Sequence, residues 1–167
     1  SIAAGTDGTG SIVVSKAATD GYAIDTAAAL SMSAPNDITV AGRIQALGDN
    51  TMGAGENVLL NGGSLASNGA IGIAAGTGSI NVSKAAADGY AIDTSAALSM
   101  SALNDITVAG GIQALGGASM DAGDNVLLNG GSLKSDSDIS IAAGTGVGTD
   151  GTGSIVVSKA AADGYAI

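Results

Sequence analysis

The chain has no cysteine, histidine, tryptophan or phenylalanine, and only one proline, Pro35. Each absence excludes something. Without cysteine there is no disulfide-stapled scaffold, although no compartment follows from that. Without histidine or cysteine the commonest general bases, nucleophiles and soft metal ligands are gone. The only aromatics are Tyr22, Tyr90 and Tyr165, whereas an ordinary core draws heavily on bulky rings. Positive charge is scarce: Arg43 and four lysines face 15 acids, for a net charge of −10. Nucleic acid and anionic membrane surfaces both require a basic face, so both are excluded as partners. No run of 18 apolar residues is present, and no transmembrane helix is expected.

What is present is repetition. Asn36-Asp37-Ile38-Thr39-Val40-Ala41-Gly42 returns letter for letter as Asn104 to Gly110. Ser11–Ala70 overlays Ser79–Asp138 without a gap, with 46 of 60 positions identical. A third copy starts at Ser154 and differs from the first only at Ala162, which stands against Thr19. Fixed-period self-similarity is the mark of a repeat architecture. We read one continuous excerpt, 1–167, with units 1–71, 72–139 and a partial third, 140–167.

Within a unit the apolar period is two. Ile38 and Val40, Val58 and Leu60, Ile71 and Ile73, Ile80 and Val82, Tyr90 and Ile92, and Leu98 and Met100 alternate with polar or small residues. Gly, Asn, Asp or Ser bound each run, which is the strand signature. Ala27-Ala28-Ala29-Leu30 invites a helix, but glycine and asparagine nearby leave no useful length for one. The expected fold is all-β, a parallel β-helix or β-solenoid whose coils bury one another's apolar faces. Strand starts at Ile38, Val58, Ile71, Tyr90 and Ile106 suggest four coils per 68-residue repeat. Roughly nine or ten coils stacked at about 4.8 Å would make a rod about 45 Å long. Second strands are expected after small-residue corners, at Ile44-Gln45-Ala46-Leu47 and at Ser64-Leu65. Asn36-Asp37, Asn57 and Asp138 precede strands and suit Asx-turns, with a ladder of stacked asparagines as the alternative.

The copies differ mainly in Asp49–Glu56 against Gly117–Asp124, and in Ala66–Ala70 against Lys134–Asp138, which reads as loop variation. Length changes only where Thr6–Gly10 corresponds to Thr77-Gly78 and to Thr145–Gly153, so that corner should face outward. Pro35 against Leu103 places that position at a turn or edge.

No catalytic residue emerges, no cofactor is implied, and the chain is read as a non-enzyme. Lys16, Lys84 and Lys159 are one repeated position and make no cleft for an acidic substrate. Gly144–Gly153 lacks the Gly-Lys-Ser/Thr ending of a phosphate loop. Asp7 and Asp150, in Gly/Thr loops, are the only candidates for a metal, as weak Ca²⁺ ligands. The plainer reading is a solvated loop. Thr39 and Thr107 stand singly, one per unit, unlike the stacked Thr-x-Thr of an ice-binding face. The tyrosines read as core or corner residues.

The segments Asn36–Gly42, Asn57–Gly63 and Asp138–Gly144 resemble the shaft repeats of filamentous-haemagglutinin-like bacterial adhesins, giant proteins of the bacterial cell surface. The resemblance spans the chain. It implies a right-handed β-helix, an extracellular, surface location, and work in attachment or biofilm. The family's Asn-Pro-Asn secretion motif has no counterpart, since Ala34-Pro35-Asn36 does not match it, and no receptor-binding residue carries over. The expected role is a structural shaft whose partners are neighbouring repeats of the same or another copy. Two alternatives are a fibre subunit joined end to end, and a module binding host glycan or protein through the variable segments.

Overall fold

The computed structural model describes residues 1–5, 7–16, 21–83, 89–145, 151–158 and 167. Among them every regular element is a strand, and the strands form three parallel sheets. The first sheet stacks Ile2–Ala3, Leu30–Ala34, Asn50–Ala54, Ile71–Ala75, Leu98–Ala102, Ala118–Ala122 and Ile139–Ala143. The second stacks Ile12–Val14, Ile38–Val40, Val58–Leu60, Ile80–Val82, Ile106–Val108, Val126–Leu128 and Ile155–Val157. The third stacks Ile24–Thr26, Arg43–Ala46, Ser64–Ser67, Ile92–Thr94, Gly111–Ala114 and Ser132–Lys134. The chain visits the sheets in rotation, which makes a parallel β-helix. The strands after the Ala41-Gly42 and Asn61-Gly62-Gly63 corners lie where the sequence placed them.

The coil count is a correction. Successive strands of the first sheet begin at Leu30, Asn50, Ile71 and Leu98, and Leu98 is the repeat equivalent of Leu30. A unit is therefore three coils, not four. Among the described residues two sheets have seven strands, so these rungs span about 30 Å at about 4.8 Å per rung, against the roughly 45 Å expected from four coils per unit. The four-coil count joined strands of different sheets: Val58 belongs to the second, Ile71 to the first, and Tyr90 to no strand. The segments read as variable loops are corrected too. Asp49–Glu56 and Gly117–Asp124 enclose the first-sheet strands Asn50–Ala54 and Ala118–Ala122.

Register explains the composition. In the second sheet Ile12, Ile38, Val58, Ile80, Ile106 and Val126 form one inward ladder, and Val14, Val40, Leu60, Val82, Val108 and Leu128 another. All four methionines fall in a single ladder of the first sheet: Met32, Met52, Met100 and Met120, with Ile73 between the pairs. Beside it runs a column of alanines, Ala34, Ala54, Ala75, Ala102 and Ala122. Burying each branched side chain contributes about 1.5–3 kcal/mol, and neighbouring rungs supply the covering surface for one another.

Pro35 directly follows a strand, at a corner. Its counterpart Leu103 donates its backbone N–H to Ala75 at 3.3 Å, a bond proline lacks the hydrogen to make. Gly55 sits at the same corner one coil on, where a Cβ would lie 1.8 Å from the Pro35 carbonyl oxygen.

Candidate functional site

The most developed polar structure is a ladder along the corner between the first and second sheets. Ser11, Asp37, Asn57, Ser79, Asp105, Asn125 and Ser154 occupy one position in successive coils. Each of the first six side chains accepts from the backbone N–H of the next. Asp37 N–H donates to Ser11 Oγ at 3.4 Å, and Asn57 N–H to Asp37 Oδ1 at 3.1 Å. Ser79 N–H donates to Asn57 Oδ1 at 2.9 Å, and Asp105 N–H to Ser79 Oγ at 3.3 Å. The pattern repeats through Asn125 to Asp105 and Ser154 to Asn125. Asp37 and Asn57 therefore bond the next coil rather than closing Asx-turns on their own backbone. These are hydrogen bonds between coils in a corner that small polar side chains fit, and they fix the coil spacing.

A second device recurs at the corner between the second and third sheets. Ser83 Oγ donates to the Leu60 carbonyl at 2.5 Å and accepts from Gly62 N–H at 2.8 Å. Ser158 does the same with Leu128 at 2.6 Å and Gly130 at 3.0 Å. Gly62 and Gly130 have φ of 76° and 75°, a conformation in which a Cβ is strained. Sequence reading treated these serines as strand-bounding residues and missed their role. Their signal was the recurrence of serine three residues after Ile80 and Ile155.

Tyr22 and Tyr90 stand at corners, 38% and 37% exposed. The expected corner position is met; a core position is not. Arg43 lies 4.6 Å from the centroid of the Tyr22 ring, and its Nη2 donates to the Tyr22 hydroxyl at 3.5 Å. In the second copy glycine replaces that arginine. A Cβ on Gly111 would come within 3.1 Å of the Tyr90 ring, so the tyrosine has settled onto the backbone. Tyr165 lies outside the described residues, as do Lys84 and Lys159.

Of the two cation candidates, Asp150 also lies outside the described residues. Asp7 is exposed, and its Oδ1 accepts from the Thr9 N–H at 3.1 Å and from the Thr9 hydroxyl at 2.9 Å. Those bonds, the hydroxyl first, hold the Asp7 carboxyl below the ordinary aspartate pKa. Thr145 Oγ1 donates to Asp121 Oδ1 near the corresponding corner of the last unit. No group of three or more acids is close enough to share a metal ion among the described residues.

The outward rows differ between faces. The first sheet presents small residues, Ser31, Thr51, Gly72, Ser99, Ser119 and Ser140 in one row, with Asp121 the only charge in the row beside it. The second presents Val13, Thr39, Leu59, Asn81, Thr107 and Leu127. The two threonines stand singly there, separated by other residues. The third carries a polar chain. Gln113 Nε2 donates to Asp93 Oδ1 at 3.2 Å, and Lys134 Nζ donates to Gln113 Oε1 at 3.3 Å. On the third face these side-chain bonds run from coil to coil. Compared with protein-family models, curated proteins and solved structures, the chain matches none.

Proposed function

We propose that the chain is a stretch of the shaft of a secreted, repetitive bacterial surface adhesin or extracellular fibre, a stiff spacer acting in attachment or biofilm matrix. The observation that supports a spacer is the unbroken register of three parallel sheets, with the same inter-coil bonds recurring once per unit. A solenoid built this way lengthens by adding rungs, each contacting only its neighbours. The adhesin and surface location rest on the resemblance of Asn36–Gly42, Asn57–Gly63 and Asp138–Gly144 to adhesin shaft repeats. In this reading the chain performs no catalysis and needs no cofactor, and its partners are neighbouring repeats, of the same or another copy, stacked end to end.

The test is a display experiment. Arrays of two, four and eight units are anchored on a cell and tipped with a module of known ligand. Capture of a sterically shielded target should rise with unit number, and untipped arrays should not bind host cells or a glycan array. Saturable binding by untipped arrays would replace the spacer with a binding module.

A further inference from the structure

The outward row of the third sheet reads Asp25, Gln45, Ala66, Asp93, Gln113, Lys134. It is one three-rung pattern twice over, with a single change: alanine in the first copy stands where the second has lysine. Lys134 lays its ammonium on the amide oxygen of Gln113. Gln45, the equivalent glutamine, has only the Ala66 methyl on the next rung. The missing side chain leaves a notch of 160 Å³ lined by Gln45, Leu47, Ala66, Asn68, Asp93 and Ser95. Ala66 forms its floor and the half-exposed Leu47 an apolar wall. Asp93, paired with Ala66 in register, supplies a carboxylate whose Oδ1 already accepts from Gln113 Nε2 and whose Oδ2 remains to accept.

We infer that this notch binds a primary ammonium on a short alkyl chain, the chemistry of a lysine side chain. The molecule supplies the precedent, because its own second copy puts a lysine at the equivalent place. An ammonium has three donors and no acceptor. The Asp93 carboxylate and the Gln45 amide oxygen are acceptors on the rungs either side of Ala66, while the methylenes lie on Ala66 and Leu47, as lysine stems do on apolar surface. No cationic side chain lines the notch, and its one charged side chain is the Asp93 carboxylate, which disfavours an anion. Units with lysine fill their own site, and units with alanine present it. This inference does not depend on the adhesin reading. Free alkylamines and lysines on proteins share the chemistry.

The experiment is a ¹H–¹⁵N titration of the whole chain with n-butylammonium chloride, against sodium chloride at equal ionic strength. Saturable shifts are expected at the Gln45 side-chain amide and at the Ala66, Asp93 and Ser95 N–H groups, with a smaller one at the Gln113 side-chain amide that donates to Asp93, and none at Ser31 on the first sheet. Ala66→Lys should abolish them with the remaining spectrum unchanged, and Asp93→Asn should weaken binding by about tenfold or more, the loss of one charge-assisted contact. N-acetyl-lysine methylamide shifting the same residues would assign the site to protein-borne lysines, and butylammonium alone would assign it to free amines. Shifts reproduced by sodium chloride, persisting in Ala66→Lys, or absent altogether would overturn the inference.

Discussion

Asn57 donates twice to one atom of Asp37: its backbone N–H and its side-chain amide reach Oδ1 at 3.1 and 2.9 Å. Asn125 repeats the arrangement on Asp105 at 3.0 and 2.9 Å. The two-donor clasp recurs once every three coils and joins the second rung of each unit to the third. Asp105→Ala leaves two part-buried donors without their acceptor and should destabilise by about 1–3 kcal/mol. Asp105→Asn keeps an oxygen in place and should cost less. Urea denaturation of both variants checks the order; equal losses would show that the aspartate acts through something other than acceptance.

Asn50 is fully buried, and neither its Nδ2 nor its Oδ1 has a hydrogen-bond partner. It lies between Leu30 and Ile71 in an apolar ladder. The second copy has Ala118 at this place. An orphaned buried amide costs about 1–3 kcal/mol, so Asn50→Ala should raise the urea midpoint and Ala118→Asn should lower it. Opposite signs at equivalent positions are the expected result.

Gly53 and Gly55 share one segment of chain and should respond differently. A Cβ on Gly53 meets nothing within 4 Å, and the second copy carries Asp121 there. A Cβ on Gly55 collides with the Pro35 carbonyl. Gly53→Ala should change stability by no more than about 0.5 kcal/mol, whereas Gly55→Ala should cost about 1–3 kcal/mol by overpacking. Thermal melts of the two variants decide it.

Asp7 should titrate below an ordinary aspartate, and Thr9→Ala should return it toward that value. The sign follows from the lowered pKa. The bonds to the charged form are fully present above the unfolded-state pKa and are lost as pH falls through the folded one. A carboxyl-carbon NMR titration in acid reads both midpoints.

Arg43→Gly reproduces the second copy at the tyrosine corner. The cation–π contact is partly exposed, so the loss should be no more than about 1 kcal/mol. The Tyr22 ring should then move toward residue 43, as Tyr90 has toward Gly111, with a changed tyrosine fluorescence.

The strand character of the chain was legible because side chains alternate between core and solvent, and Ile38-Thr39-Val40 carries that alternation in its letters. The sheet to which a strand belongs was not legible. A period of two is the same on all three faces, so Val58 and Ile71 looked like successive coils although they belong to different sheets. Asn50–Ala54 passed for a loop because its inward residues are Asn50, Met52 and Ala54, with no branched side chain among them. The methionines held the missing information: Met32 and Met52 have the same spacing as Met100 and Met120, and each pair stacks directly. The sequence offered stacked asparagines as the alternative to Asx-turns; the ladder found alternates serine, aspartate and asparagine acceptors, because the letters do not say which residues of successive coils share one corner. The notch at Ala66 was invisible, since it depends on which residues of other coils lie beside an alanine.

The three-coil unit is measured most directly by cryo-electron microscopy of arrays carrying two, four and eight copies of the repeat. Single rods of constant width should lengthen by about 14 Å for each added unit, three rungs at about 4.8 Å. An increment of about 19 Å, the length of four rungs, or a length that does not grow with unit number, would contradict the account.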